Sequence, residues 1–134
     1  MIKFSKIKIG DYVNAEYEGK MWNGEVVNFN GDEKQVCVKT EVQEFWFDTD
    51  HLYPIELSDA ALLKLSFTKQ VNDDGSVKYM KGSFRIVTPV AGDFSKMEIW
   101  YREDRRHNPD IHSVHELQNQ YLDMTKIYLT NDPM

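Results

Sequence analysis

Three histidines in the last third of the chain, His107, His112 and His115, stand close to Glu116 and are the first place to look for metal or acid–base chemistry. Their spacing supports neither. His112 and His115 are three apart, but the order His-Ser-Val-His-Glu fits neither His-Glu-x-x-His nor His-x-x-Glu-His, and no cysteine is near. Neighbours on a helix point about 100° apart, so His115 and Glu116 do not converge on one substrate atom, and His115 is expected to be structural. The one cysteine, Cys37, alternates with Val36 and Val38 and has no basic partner in any motif, so it reads as a buried, inert thiol. Glycine-rich phosphate loops and Gly-x-Ser-x-Gly elbows are missing from the sequence. The expectation is a binding protein and not an enzyme, with no catalytic residue, no metal and no cofactor.

The residues that could bind fall into two sets. Tyr12, Tyr17, Trp22, Phe45, Trp46, Phe47 and Tyr53 are more large rings than a small β-domain needs inside, and alternation sends at least one of Phe45, Trp46 and Phe47 to the far face. An exposed aromatic patch with an acidic rim suits a protein partner, or the second half of the same chain. The segment Glu103 to Asp110 has no apolar residue suited to a core and is expected to be an exposed loop offering Arg105 and Arg106. Tyr12, Tyr17, Trp22, Trp46, Tyr53, Arg105 and Arg106 are therefore the partner-binding candidates, and a protein partner is the leading expectation. The second set is Lys78, Arg85, Trp100, Arg102 and Arg105, interleaved with Tyr79, Phe84 and Tyr101. Cations and rings on strands make a platform for single-stranded nucleic acid or a nucleotide, phosphates on arginine and bases on rings. The alternative is a solvated basic face above a buried aromatic one.

Charge separates the halves. The net charge is −6, with six Lys/Arg against eleven Asp/Glu through Glu56, and ten against eleven from Leu57 onward. The first half should repel a phosphate backbone at long range, so nucleic acid is expected only on the second. No long apolar run is present, which predicts neither signal peptide nor membrane span, and a cytoplasmic protein.

These residues need elements to hold them. Strands are expected over Tyr12–Tyr17, Met21–Phe29, Gln35–Lys39, Glu44–Phe47 and His51–Ile55, with turns at Glu18-Gly19-Lys20 and Asn30-Gly31-Asp32. Ser58 is a helix N-cap, with Ala61, Leu62 and Leu65 as the apolar stripe ending near Phe67. A second set of strands follows over Thr68–Asn72, Ser76–Lys81, Phe84–Thr88 and Lys96–Arg102. A principal helix runs from Ile111 to Thr125 with Ser113 and Glu116 as a capping box, His115 facing away, and Gln118 and Asn119 bonding a neighbouring loop or strand edge. Ile127-Tyr128-Leu129 suggests a last strand and Asn131 to Met134 a frayed end. Together these give an α+β chain with domains at 1–57 and 58–134.

Gly10-x-x-Val13-x-Ala15-x-Tyr17, the glycine turn at Gly19, Trp22 two before Gly24, and the late Leu52-x-Pro54 resemble the Tudor group of SH3-like barrels. The resemblance implies an N-terminal SH3-like β-barrel, then a short helix, a small antiparallel sheet and a C-terminal helix. It would put Tyr17 and Trp22 where two walls of a methyl-lysine cage stand. The next wall should follow Val38, where this chain has Lys39, and a cation there repels a cationic guest. The barrel is carried over and the methyl-lysine activity is not.

The run Val114-His115-x-Leu117-Gln118-Asn119-x-Tyr121-x-x-x-Thr125 and the earlier Pro54-Ile55-x-Leu57-Ser58 resemble an uncharacterised group of small proteins from gut bacteria and their phages. That group often has glycine where this chain has Ser66 and Lys126. No activity comes with this resemblance, which implies only a phage or mobile-element setting.

Overall fold

The structure, a computed structural model, describes residues 2–107 and 110–132. Two five-stranded antiparallel sheets and two helices make the described chain α+β. Residues 2–55 with Ser113–His115 form one compact unit, and Glu56–His112 with 116–132 form another.

The first sheet contains β1 (Tyr12–Tyr17), β2 (Lys20–Asn30), β3 (Gln35–Lys39), β4 (Glu44–Asp48) and β5 (Leu52–Tyr53), in the order β4-β3-β2-β1-β5. Glu18 and Gly19 both take positive φ between the paired Tyr17 and Lys20, the I′ geometry whose twist matches that of the flanking strands. At the next hairpin the side chain of Asn30 accepts from the backbone of Asp32 and Glu33, and the left-handed residue is Lys34, not Asn30 or Gly31. Val13, Ala15, Val26, Val36, Val38, Phe47 and Leu52 line the inner face, joined by Ile2 and Ile7. Gly24 sits opposite Val13 on that face because nothing larger fits: a Cβ there would lie 2.4 Å from Val38 Cγ1 and 3.0 Å from the Lys39 carbonyl. The closing strand is shorter than the sequence implies. Thr49–His51 form a 3-10 turn, leaving only Leu52 and Tyr53 to pair with Ala15 and Asn14.

In the second unit, α1 (Asp59–Lys64) opens with the Ser58 side chain accepting from Ala61 N at 3.0 Å. It ends with Ser66 N on Leu63 O and Phe67 N on Leu62 O, a Schellman closure with Ser66 at φ 67 and the apolar side chains of Leu62 and Phe67 buried. The second sheet is a meander of β6 (Thr68–Val71), β7 (Val77–Lys81), β8 (Phe84–Thr88), β9 (Glu98–Tyr101) and β10 (Asp104–Arg106). The strand β10 corrects the expected loop: an edge strand has one neighbour and both faces open, so its all-polar sequence carries no apolar signature. Asn108 and Pro109 of that expected loop lie outside the described residues.

Val77, Tyr79, Phe84, Ile86 and Ile99 form the buried face of this sheet, with Tyr121 of α2 (Val114–Thr125) packed 4.7 Å from Phe84. The α2 helix ends with Lys126 N on Leu122 O and Lys126 at φ 64. Ser66 and Lys126 thus hold the left-handed conformation that usually selects glycine. The expected strand at Ile127–Leu129 is not formed. Instead the Gln118 amide donates to the Leu129 carbonyl at 2.9 Å, satisfying a group that a sheet would otherwise pair. Asn131 and Asp132 form a bend, and Pro133 and Met134 lie outside the described residues.

Candidate functional site

Cross-strand register gathers one candidate set into a row. Arg85 on β8 and Arg105 on β10 both lie opposite Trp100 on the intervening β9, so all three project from the same face, away from the buried one. The Arg85 guanidinium carbon is 5.6 Å from the Trp100 ring centroid and that of Arg105 is 5.5 Å away, both within cation–π range. Trp100 is also tied at its edge, its indole N–H donating to Glu98 Oε2 at 3.3 Å.

Arg85 is held on a second side. Its Nη2 donates to the Arg102 carbonyl at 2.6 Å, pinning the β9–β10 turn in which Arg102 has φ 56. The Arg102 side chain in turn lies over Tyr101, 5.2 Å from that ring. Lys78 on β7 faces the same way as Arg85, since its partner Val87 lies two residues along β8. Among the described residues, no carboxylate lies within 4.0 Å of Lys78, Arg85, Arg102 or Arg105. Lys78, Arg85, Trp100 and Arg105 are therefore on one side of one sheet, while Arg102, at its turn, lies over Tyr101, whose partner is the buried Phe84 of the other side.

Arg106 parts company with Arg105. Its partner is the buried Ile99, and its guanidinium pairs with Asp104 at 3.2 Å and Asp123 of α2 at 3.4 Å. It is neutralised where Arg105 is not.

The partner-binding rings of the first unit are dispersed. Tyr17 and Trp22 are on the inner face, Trp22 half-buried opposite Ala15, while Tyr12 and Tyr53 are half-buried on the outer face beside Asn14. Trp46, opposite Cys37, is 47% exposed, the ring that alternation sends outward. The ring facing Tyr17 is Phe45, stacked at 4.8 Å, and not a residue following Val38. Parallel rings so close leave no slot for a guest between them.

Sequence reasoning missed two buried polar groups. Asp11 is fully buried, its carboxylate bonded to the Lys8 side chain and to the Lys8 backbone N–H at 2.9 Å. Burial pushes its pKa up, opposed by the bonds and charge of Lys8 and more weakly by His115. His115 is itself buried, not facing away, with Nδ1 3.1 Å from Ser113 Oγ, and Glu116 Oε1 accepts from His112 N at 3.1 Å. A serine beside a histidine invites a nucleophilic reading, but Ser113 is 2% exposed and the pair reads as internal hydrogen bonding.

The second group is Lys81, whose ammonium is buried yet donates to the carbonyls of Leu65 and Thr130 at 2.8 Å and Asp132 at 2.9 Å. Burial lowers its pKa and the charge of Asp132 opposes this. Cys37 is buried, and burial followed by the charge of Glu44 pushes its thiol pKa up, away from reactivity.

Among the described residues no group of three or more His, Cys, Asp and Glu is arranged to hold a metal ion, and no helix is long and apolar enough to cross a membrane. Comparison with protein-family models, with curated proteins and with solved structures gave no match to this chain.

Proposed function

We propose that this chain is a non-catalytic binding module whose contact surface is the outer face of the second sheet, taking single-stranded nucleic acid. The observation that carries the reading is the Arg85–Trp100–Arg105 row, cationic, solvent-facing and, among the described residues, without a carboxylate in ion-pair range. A polyanion supplies the missing counter-charge, and an unstructured strand can follow a sheet face that admits no duplex groove contact. The near balance of charge from Leu57 onward leaves this patch its own sign, while the acidic first half keeps the interaction weak and strongly salt-dependent.

Anisotropy of a labelled single-stranded oligonucleotide at low salt tests this. Arg85→Ala and Arg105→Ala should each weaken binding and reduce the salt slope by about 0.7. Absence of binding at low salt overturns the reading.

A second reading, a protein partner on the first unit, rests on the exposure of Trp46. Pull-downs from host lysate with intact protein and with Trp46→Ala separate the two: loss of a captured protein in the variant favours it, and unchanged capture removes it. The first unit is read as an SH3-like barrel. Its support is the Tyr17–Phe45 stack, which joins two strands separated by β2 and β3 and so requires a strongly coiled sheet. A phage or mobile-element setting is proposed from the C-terminal resemblance alone, and the genes beside this one test it.

A further inference from the structure

The Trp100 indole carries a guanidinium from each neighbouring strand and is hydrogen-bonded at its edge. Arg85 reaches it from β8 and Arg105 from β10, the strands on either side of β9, and its N–H is taken by Glu98. A base stacks by laying its π-face on a bare ring, and here the ring already carries two guanidiniums. Tyr101, paired with the buried Phe84, lies on the other side of the sheet and offers this face no second ring.

Resting on the nucleic-acid reading above, we propose that this face reads the sugar–phosphate backbone and not the bases. Trp100 acts as a positioning residue. It spaces Arg85 and Arg105 across the width of three strands, about 10 Å, leaving Arg85 Nη1 and the Arg105 guanidinium for phosphate oxygens. Arg85 is the more rigid of the two, since its Nη2 is committed to the Arg102 carbonyl and its Nε is buried without a hydrogen-bond partner among the described residues. Arg105, on an exposed edge strand with no ion pair, is the adaptable partner. The ligand is thus a flexible phosphodiester chain, recognised by charge spacing and indifferent to sequence. If Lys78, Arg85 and Arg105 each meet one phosphate, the slope of log K against log salt is roughly −2.

The test compares a short oligothymidylate with an abasic sugar–phosphate chain of equal length, by anisotropy at low salt. Affinities within about twofold support the proposal, because a backbone reader loses nothing with the bases, whereas base stacking would contribute about 1–3 kcal/mol per base. An abasic chain bound tenfold or more weaker overturns it and leaves the nucleic-acid reading standing. No binding of either chain overturns that reading, and this inference with it.

Trp100→Leu supplies the second arm, since Trp100 lies on the face opposite Phe84, Ile86 and Ile99 and its replacement spares the core. Equal weakening of both chains by Trp100→Leu, with partial recovery in Trp100→Phe, is the expected result for a residue that positions arginines. Weakening confined to oligothymidylate overturns it.

Discussion

In the first sheet aromatic rings meet other rings: Tyr17 lies on Phe45, Phe45 stands edge-on to Phe47, and Phe4 to Phe29. The cation beside its core, Lys8, is matched to the carboxylate of Asp11. In the second sheet, the ring on the open face, Trp100, meets two cations, and the cation turned inward, Lys81, meets three backbone carbonyls. On the open face and at Lys81, positive charge in the second unit is thus held by a π-face and carbonyl dipoles that stabilise it without cancelling it, whereas Lys69 and Arg106 are paired with carboxylates. A net charge near zero from Leu57 onward therefore hides a surface that remains cationic, and composition alone is a poor guide to what this half can bind.

The comparison is most sharply tested at Lys81. Replacing it with methionine preserves much of the side-chain volume but leaves the carbonyls of Leu65, Thr130 and Asp132 without their donor. A buried acceptor left unpaired costs about 1–3 kcal/mol, and with relaxation of the tail we expect a loss of about 3 kcal/mol in urea unfolding. A loss under about 1 kcal/mol would mean that water replaces the ammonium and that the inward cation is not a keystone of the second unit.

Gly24 provides the matching test in the first. The second sheet has no glycine within a strand, whereas β2 and β3 approach so closely at Gly24 that a methyl group strikes Val38. Gly24→Ala should lower stability by about 2 kcal/mol through overpacking, with Val38→Ala in the same chain recovering part of it. Unchanged stability would show that the sheet opens easily there, against a tightly coiled first unit.

Much of this organisation was legible beforehand and some was not, for reasons that can be named. The strands β1 and β8 follow from alternation alone, because each has one buried face. Strand β10 was unreadable, and with it the row: Arg85, Trp100 and Arg105 can be picked out as residue types, but only register places them side by side. The same holds for Tyr17 and Phe45, which meet through sheet coiling, a property no local spacing encodes. The burial of Asp11 was not legible either, because a carboxylate after glycine is usually solvated. Its burial depends on Lys8, three residues earlier, folding back over it.

Asp11 yields a pH test of the paired cation. Because its pKa in the folded state lies above the unfolded value, Asp11 contributes stability at pH below the ordinary carboxylate range, and that contribution is lost as pH rises through the folded value. Against Asp11→Asn, which keeps an acceptor for the Lys8 N–H, the parent chain should gain relative stability as pH falls from about 7 to about 4. A relative loss over that window would show that Lys8 outweighs burial and that the ion pair stabilises the first core.

The smallest effect is expected at the left-handed helix end of the second unit. Lys126 has φ 64 and closes α2 through its N–H on Leu122 O, a conformation that opposes every side chain with a Cβ. The same lysine offsets part of that strain by donating Nζ to the Asp123 carbonyl at 2.8 Å, one more cation held by a backbone dipole. Glycine removes the strain and the bond together. Since the bond is exposed and therefore weak, Lys126→Gly should raise stability by about 0.5 kcal/mol, read as a small increase in urea midpoint at unchanged slope. Lys126→Ala separates the two contributions, because it keeps the Cβ and loses the ammonium. If alanine is destabilised by as much as glycine is stabilised, the carbonyl contact matters even in solvent, and the second unit's habit of holding cations on backbone dipoles extends to its surface.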